Sequence, residues 1–253
     1  MGEGLAQGNQ KTIEWRGKAG VYVVAYGKRA RDCAAELMRT VHKRNPGLPV
    51  CLVSDKALGK EDVLVELPQV EPRARTQKIK IYEYAPQEWE YVLYLDADTL
   101  CCGKLSPIFK VLADGWDMVC TLSPPKRPLV GDAQRGKYTE ENVYTDKKLG
   151  SNQWLQWAGG VWAFRRCART KRFFEMFVEE WGRYAWRDQQ AMMRAFWKAP
   201  LSIYTLGTEW NLFVHVDDPK RSAGIMHFAT AARAWGSKNH SGRREWRKWK
   251  AKL

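Results

Sequence analysis

Over its first hundred residues the chain alternates short apolar runs with a segment of helical spacing, and this limits its architecture more than any other feature. The run GVYVVAYG (20–27) reads as a strand. From Arg29 to about Arg44 the apolar residues Cys33, Leu37 and Val41 recur every four residues, as on one face of a helix. Asn45-Pro46-Gly47-Leu48-Pro49 breaks that helix, VCLVSD (50–55) supplies the next strand and DVLVELP (62–68) a third. Strand, helix, strand in this order predicts an α/β fold with a mixed, mainly parallel sheet flanked by helices. A helix over about Thr76–Ala85 then leads into YVLYLDADTL (91–100), where Tyr91–Leu95 reads as a buried strand.

That strand ends in two carboxylates one residue apart, Asp96 and Asp98. Like charges at this spacing repel and resist losing water, so near a core they must be protonated, hydrogen-bonded or neutralised by a positive group. A divalent cation meets that need. The carboxyl edge of an open α/β sheet is also where such folds bind ligands. Asp-x-Asp by itself occurs often at turns and carries the inference only with further ligands. His227, in the apolar segment GIMHF, is the residue type for a third ligand, although a lone histidine in such a segment is commonly a satisfied core residue.

Downstream, PPKRPLVGDAQRGKYTEENVYTDKKLGSN (124–152) is rich in Pro, Gly and charge without sustained apolar period, and reads as a long loop. GGVWAFRR reads as a strand, and RTKRFFEMFVEEWGRY as an amphipathic helix with Phe173, Phe177 and Trp181 on one face. A further helix begins near RDQQAMMRAFW, followed by strand-like LSIYTLG and GIMHF. No repeat or linker divides the 253 residues. One domain is expected over 1–253, with a Gly-rich lead over about 1–18 and a basic tail over about 236–253.

Lys and Arg number 42 against 28 Asp and Glu, a formal charge of +14 that favours an acidic partner. No apolar stretch approaches the roughly 20 residues of a membrane-spanning helix. The opening MGEGLAQGNQKTIEW lacks the apolar core of a signal peptide, and its sixth residue, Ala6, is not the Ser or Thr of a myristoylation signal. A cytoplasmic protein is expected. The six cysteines show no paired zinc spacing and read as reduced core thiols.

Five features in order carry a resemblance: the first strand and helix; Lys80, sixteen residues before the acid pair; LDADTL; Asp188-Gln189 opening a helix; and HFATAARAW near the C-terminus. Together they resemble the metal-dependent nucleotide-sugar glycosyltransferases of the GT-A fold, in particular the glycogenin-like retaining group. The late motif of that group is His-Phe-x-Gly-x-x-Lys-Pro-Trp, of which His227, Phe228 and Trp235 are kept, while Arg233 stands for the Lys. The resemblance implies Mn²⁺ or Mg²⁺ on Asp96, Asp98 and His227, and a UDP-sugar as donor. Lys80 and Arg233 would lie on the diphosphate; Tyr26, Asn211 and the backbone of Gly159 and Gly160 would lie along the donor. Asp188 and Gln189 would lie on the sugar side, with transfer under retention. Where the group commonly has Asn-Ser-Gly or Asn-Ala-Gly this chain has Ala158-Gly159-Gly160, so an amide expected on the sugar is missing.

The tail SGRREWRKWKAKL sets Trp246 and Trp249 among six basic residues and one acid, a surface suited to bases, phosphates or an anionic membrane, or else a solvated end whose rings pack on the core. With the charge balance it makes a polyanionic acceptor the expectation, specifically a hydroxylated base in DNA. The alternatives are a glycan or protein hydroxyl, and a non-catalytic nucleic-acid-binding module on the same fold.

Overall fold

The computed structural model describes residues 17–68, 75–124, 128–134, 139–214, 223–228 and 246. The expectations for the N-terminal lead, for Arg233 and for the basic tail other than Trp246 lie outside these residues. The first half runs β1 (Ala19–Val24), α1 (Gly27–Arg44), β2 (Val50–Ser54), β3 (Val63–Glu66), α2 (Arg75–Ile79), α3 (Ile81–Tyr84), β4 (Tyr91–Leu95), β5 (Thr99–Cys101) and α4 (Ser106–Ala113). Then follow β6 (Met118–Leu122), α5 (Val130–Gln134), α6 (Glu140–Leu149), β7 (Trp157–Arg165), α7 (Ala168–Tyr184), α8 (Asp188–Lys198), β8 (Ile203–Leu206), a 3₁₀ turn at Thr208–Trp210, β9 (Leu212–Phe213) and β10 (Ile225–His227).

The main sheet has the order β3-β2-β1-β4-β7-β6-β8. Its first four strands are mutually parallel, β7 is antiparallel to both of its neighbours, and β6 is parallel to β8. A small second sheet, β5-β10-β9, leans on the same core. The mixed, mainly parallel α/β architecture expected from the sequence is the one observed.

Period-two alternation in β4 explains the two layers. Tyr91, Leu93 and Leu95 face α1 and α4, where Leu37, Met38, Val41, Phe109 and Leu112 are buried; Val92 and Tyr94 face the opposite side. That second side is aromatic. Tyr94 stacks on Trp162 at 4.9 Å, and Phe164 meets Phe174 of α7 at 4.6 Å. The Trp89 ring lies where a side chain at position 20 would project, which is why β1 carries Gly20.

Two expectations are corrected. The helix expected over 76–85 is two short helices, α2 and α3, broken at Lys80, whose backbone leaves the helical region (φ −81°, ψ 17°). Three bonds from Arg166 in the turn after β7, to the carbonyls of Tyr82, Ala85 and Trp89, hold the second piece and its exit turn in place. The segment read as a long loop contains α5 and α6. Thr139 caps α6 by accepting from the Asn142 amide, and Gly150 ends it in the left-handed region (φ 71°). The buried face of α6 is polar, formed by Glu141, Asn142 and Thr145 with Leu149, so no apolar period betrays it.

What holds that polar face is Arg194 of α8, 1% exposed. Its guanidinium donates to Glu180 of α7 at 2.8 Å and to Thr145 at 2.6 Å, and lies 3.3 Å from Glu141. Removing the cation leaves the buried Glu141 carboxylate without its ion-pair partner, while Glu180 keeps Lys198 at 2.6 Å. Arg194→Ala is expected to lower stability by about 3–5 kcal/mol, read as a shift of the urea midpoint; a change below about 1 kcal/mol contradicts this account of how α6, α7 and α8 are joined.

Candidate active site

Asp96 and His227 are 131 positions apart in the chain, yet backbone pairing sets them side by side. After β4 the chain turns through Asp96, whose carbonyl accepts from the Thr99 amide and hydroxyl, and whose amide donates to Gly160 of β7. The strand that follows, β5, pairs antiparallel with β10, with His227 opposite Thr99, and the Phe228 amide donates to the Asp98 carbonyl at 2.9 Å. His227 Nε2 thereby lies 3.5 Å from Asp98 Oδ1 and 3.8 Å from Asp96 Oδ2. One ligand atom from each of the three lies within 4.8 Å of the others, the only such group of metal-ligating side chains among the described residues. Two hard carboxylate oxygens and one imidazole nitrogen suit Mn²⁺ or Mg²⁺, and the convergence expected of Asp96, Asp98 and His227 is present in the geometry.

The imidazole is held on every side. Phe213 stacks on it at 4.5 Å, Asn211 Oδ1 lies 2.9 Å from its Nδ1, and β7 passes beneath it. A Cβ at position 160 would collide with the ring and lie 2.8 Å from Asp96 Oδ2. One at position 159 would crowd Lys78 Nζ at 3.1 Å and Asp188 Oδ2 at 3.2 Å. Gly160 is therefore required where the imidazole and Asp96 lie against β7, while a side chain at 159 would make Lys78 or Asp188 give way by a few tenths of an ångström, reasons distinct from the donor approach expected of both.

Next to this trio lies an ion-paired group. Asp188 opens α8, where its carboxylate also faces the positive end of the helix. Its Oδ2 is 2.7 Å from Lys78 Nζ, and its Oδ1 is 3.6 Å from Arg75. Burial alone would raise its pKa, but Lys78 and Arg75 outweigh that and hold it well below the usual carboxylate range. The same Lys78 ammonium reaches Asp96 Oδ1 at 3.6 Å and sits 4.7 Å above the Tyr94 ring. Burial would lower its pKa, yet Asp188 and Asp96 keep it above the ordinary lysine value. Tyr94 donates to Asp96 Oδ1, and burial followed by the Asp96 charge pushes its own pKa well up. Gln189 donates to the Trp157 carbonyl at 3.1 Å and to Ser123 at 3.3 Å.

The lysine expected at the site is the wrong one. Lys80 sits at the break between α2 and α3, where its ammonium pairs with Glu83 at 3.7 Å and lies over Tyr84. The residue among the carboxylates is Lys78, on the buried face of α2 with Gln77 and Ile79. Residue spacing from the acid pair cannot detect a helix break, which is what turns position 80 away. Asn211 is engaged with His227 and with Thr121, not with open space along a donor. Arg75, Lys78, Tyr94 and Thr121 escaped the sequence reading; the one hint was a lysine inside the apolar phase of a helical turn. Tyr26 lies just beyond β1, and its hydroxyl is buried with no hydrogen-bond partner among the described residues, burial and then Asp55 raising its pKa to about 12.

Of the two readings of the tail, Trp246 follows the one in which a ring packs on the core: it is buried and meets Phe228 edge-on at 5.3 Å. All six cysteines are free thiols, four of them buried. Among the described residues no helix is long and apolar enough to cross a membrane.

No family model matches the sequence, and no curated protein matches it. Solved structures do share the fold. The galactosyltransferase LgtC, in complex with donor and acceptor sugar analogues, superposes with a TM-score of 0.59 at 14% identity over 92% of this chain and 96% of that one. An active-site Gln-to-Glu mutant of LgtC gives 0.55 at 14% identity over 92% and 96%. The bifunctional glycosyltransferase WbbM in its apo form gives 0.61 at 14% identity over 91% of this chain and 51% of that protein, about half its length. At this identity the likeness establishes architecture, and the chain has the GT-A Rossmann-like fold.

Proposed function

We propose that the chain is a single-domain nucleotide-sugar glycosyltransferase that moves a hexose from a UDP-sugar to an acceptor hydroxyl with retention. The observation that carries this is the meeting of Asp96, Asp98 and His227 at the carboxyl edge of a GT-A sheet, with Asp188 one ammonium away. Asp96, Asp98 and His227 would hold a divalent cation, which would supply Lewis-acid neutralisation of the diphosphate leaving group, with Mn²⁺ favoured over Mg²⁺ by the imidazole.

The protein's own groups account for the rest. The bond from the anomeric carbon to the diphosphate breaks with its electron pair staying on the diphosphate, and the acceptor oxygen forms the new bond. Lys78 brings a fixed positive charge beside Asp96, an electrostatic contribution worth about 2–4 kcal/mol for a well-placed donor. Asp188 stays ionised across the physiological range, so it acts as an anion, orienting a hydroxyl or facing the cationic ring, and not as a proton donor. The unpartnered Tyr26 hydroxyl suits a polar group of the nucleotide at the end of β1. Arg233, outside the described residues, would make the phosphate contact that the sequence resemblance implies.

A glycan hydroxyl is the acceptor to test first, since the LgtC structure holds an acceptor sugar analogue. The +14 formal charge favours a polyanion as the second reading, with a hydroxylated base in DNA as the specific case. The buried Trp246 takes one of two rings away from the stacking surface that reading invoked.

Hydrolysis of UDP-glucose and UDP-galactose, with and without Mn²⁺, tests the assignment, and adding glycan or hydroxylated duplex DNA separates the acceptors. Asp96→Ala and Asp98→Ala are expected to abolish Mn²⁺-dependent donor cleavage; undiminished turnover would remove the metal site from the mechanism. Lys78→Met is expected to lower kcat by about 10²–10³-fold, while Lys80→Met stays within about 3-fold, each checked against thermal unfolding; the reverse order would reinstate Lys80. Gly160→Ala is expected to fold yet lose Mn²⁺ affinity, because its methyl displaces His227; wild-type affinity in calorimetry would contradict the packing described.

A further inference from the structure

Asn211 was expected along the donor, but its amide is fully engaged elsewhere, in a chain of hydrogen bonds that ends on the main sheet. The direction of that chain follows from counting protons. The Thr121 hydroxyl has one proton, and donates it to the Val161 carbonyl at 3.1 Å in a buried bond between β6 and β7. Thr121 Oγ1 is then an acceptor towards Asn211, 2.9 Å away, so the NH₂ of the amide faces Thr121. Its oxygen accordingly faces His227 Nδ1 at 2.9 Å, and an oxygen there requires Nδ1 to carry the proton. The proton arrangement leaves the Nε2 lone pair of the neutral ring pointing at Asp96 and Asp98.

We infer that Asn211 is a positioning residue for the metal-ligating imidazole: with Thr121 as its anchor, it fixes the Nδ1-H tautomer and the ring plane of His227 so that Nε2 is presented as a ligand before any cation arrives. A free neutral imidazole favours the opposite tautomer, whose Nε2 proton would bond to Asp98 and block coordination. Phe213 fixes the plane of the ring from its face, but an aromatic face cannot choose between tautomers. That choice falls to Asn211, which is 3% exposed and shielded from water. The 3₁₀ turn and β9 supply both contacts, and β9 pairs in parallel with the strand that carries His227, so the imidazole and its support move together.

This inference rests on the metal-binding reading above, and its test separates the two. The tautomer of His227 is read from two-bond ¹⁵N–¹H correlations in the metal-free protein labelled with ¹⁵N-histidine, at alkaline pH. His227→Gln identifies the signal among the four histidines. Wild type is expected to show protonated Nδ1 and bare Nε2. Asn211→Leu is expected to shift the ring towards protonated Nε2 and to raise the Kd for Mn²⁺ by about 10–100-fold. Asn211→Asp, which keeps the acceptor oxygen, is expected to retain the wild-type tautomer. Thr121→Val leaves Asn211 in place but frees its amide to flip, and is expected to mix the tautomers; it serves if the leucine variant does not fold. Protonated Nε2 in wild type overturns the inference, as does Mn²⁺ affinity within about 3-fold of wild type in a folded Asn211→Leu. Wild type that binds no Mn²⁺ while showing protonated Nδ1 overturns the metal-binding reading instead.

Discussion

Much of the structure turns on the mutual repulsion of carboxylates gathered at one edge of a sheet. Asp96, Asp98 and Asp188 come close together in a partly buried setting, where each charge would be costly without a counterion. Lys78 lies between two of them and, together with Arg75, holds Asp188 ionised. Asp96 and Asp98 also converge with His227, one ligand atom from each lying within 4.8 Å of the others, which is the geometry on which the proposed cation site rests.

The scaffold around that edge is arranged for close approach. Glycine at 159 and 160 lets β7 pass directly beneath the acids and the imidazole, and Tyr94, reaching from the aromatic layer, ties Asp96 to the core. Backbone pairing brings the turn after β4 together with the strand β10, while α8 is set by packing on α7 and β7 and by the Asp188–Lys78 pair. The second layer of support, Asn211, Phe213 and Thr121, continues the pattern, with each polar group facing one defined partner.

Strand alternation and the period of α1 and α7 were legible because each buries a mainly apolar face, and the sequence records such faces directly. The acid pair was legible because an apolar strand that ends in two carboxylates has few physical explanations. By contrast α6 buries polar residues against Arg194, and its packing leaves no hydrophobic trace. Lys80 was picked out by its spacing from the acid pair, and spacing does not register where a helix breaks. The basic neighbours of Trp246 left open whether its ring faced solvent or the core, and its packing on Phe228 decides for the core.

From its sequence alone this protein declared an α/β sheet, a carboxylate pair at a strand's end, and the identity of the imidazole that would complete a metal site, since all three depend on local pattern and motif order. Which lysine neutralises the acids, what Asn211 touches, and why positions 159 and 160 have no side chain were decided only by the fold. Those answers depend on distances between residues remote in the chain, and such distances are fixed by strand pairing and packing, which no local window of sequence contains.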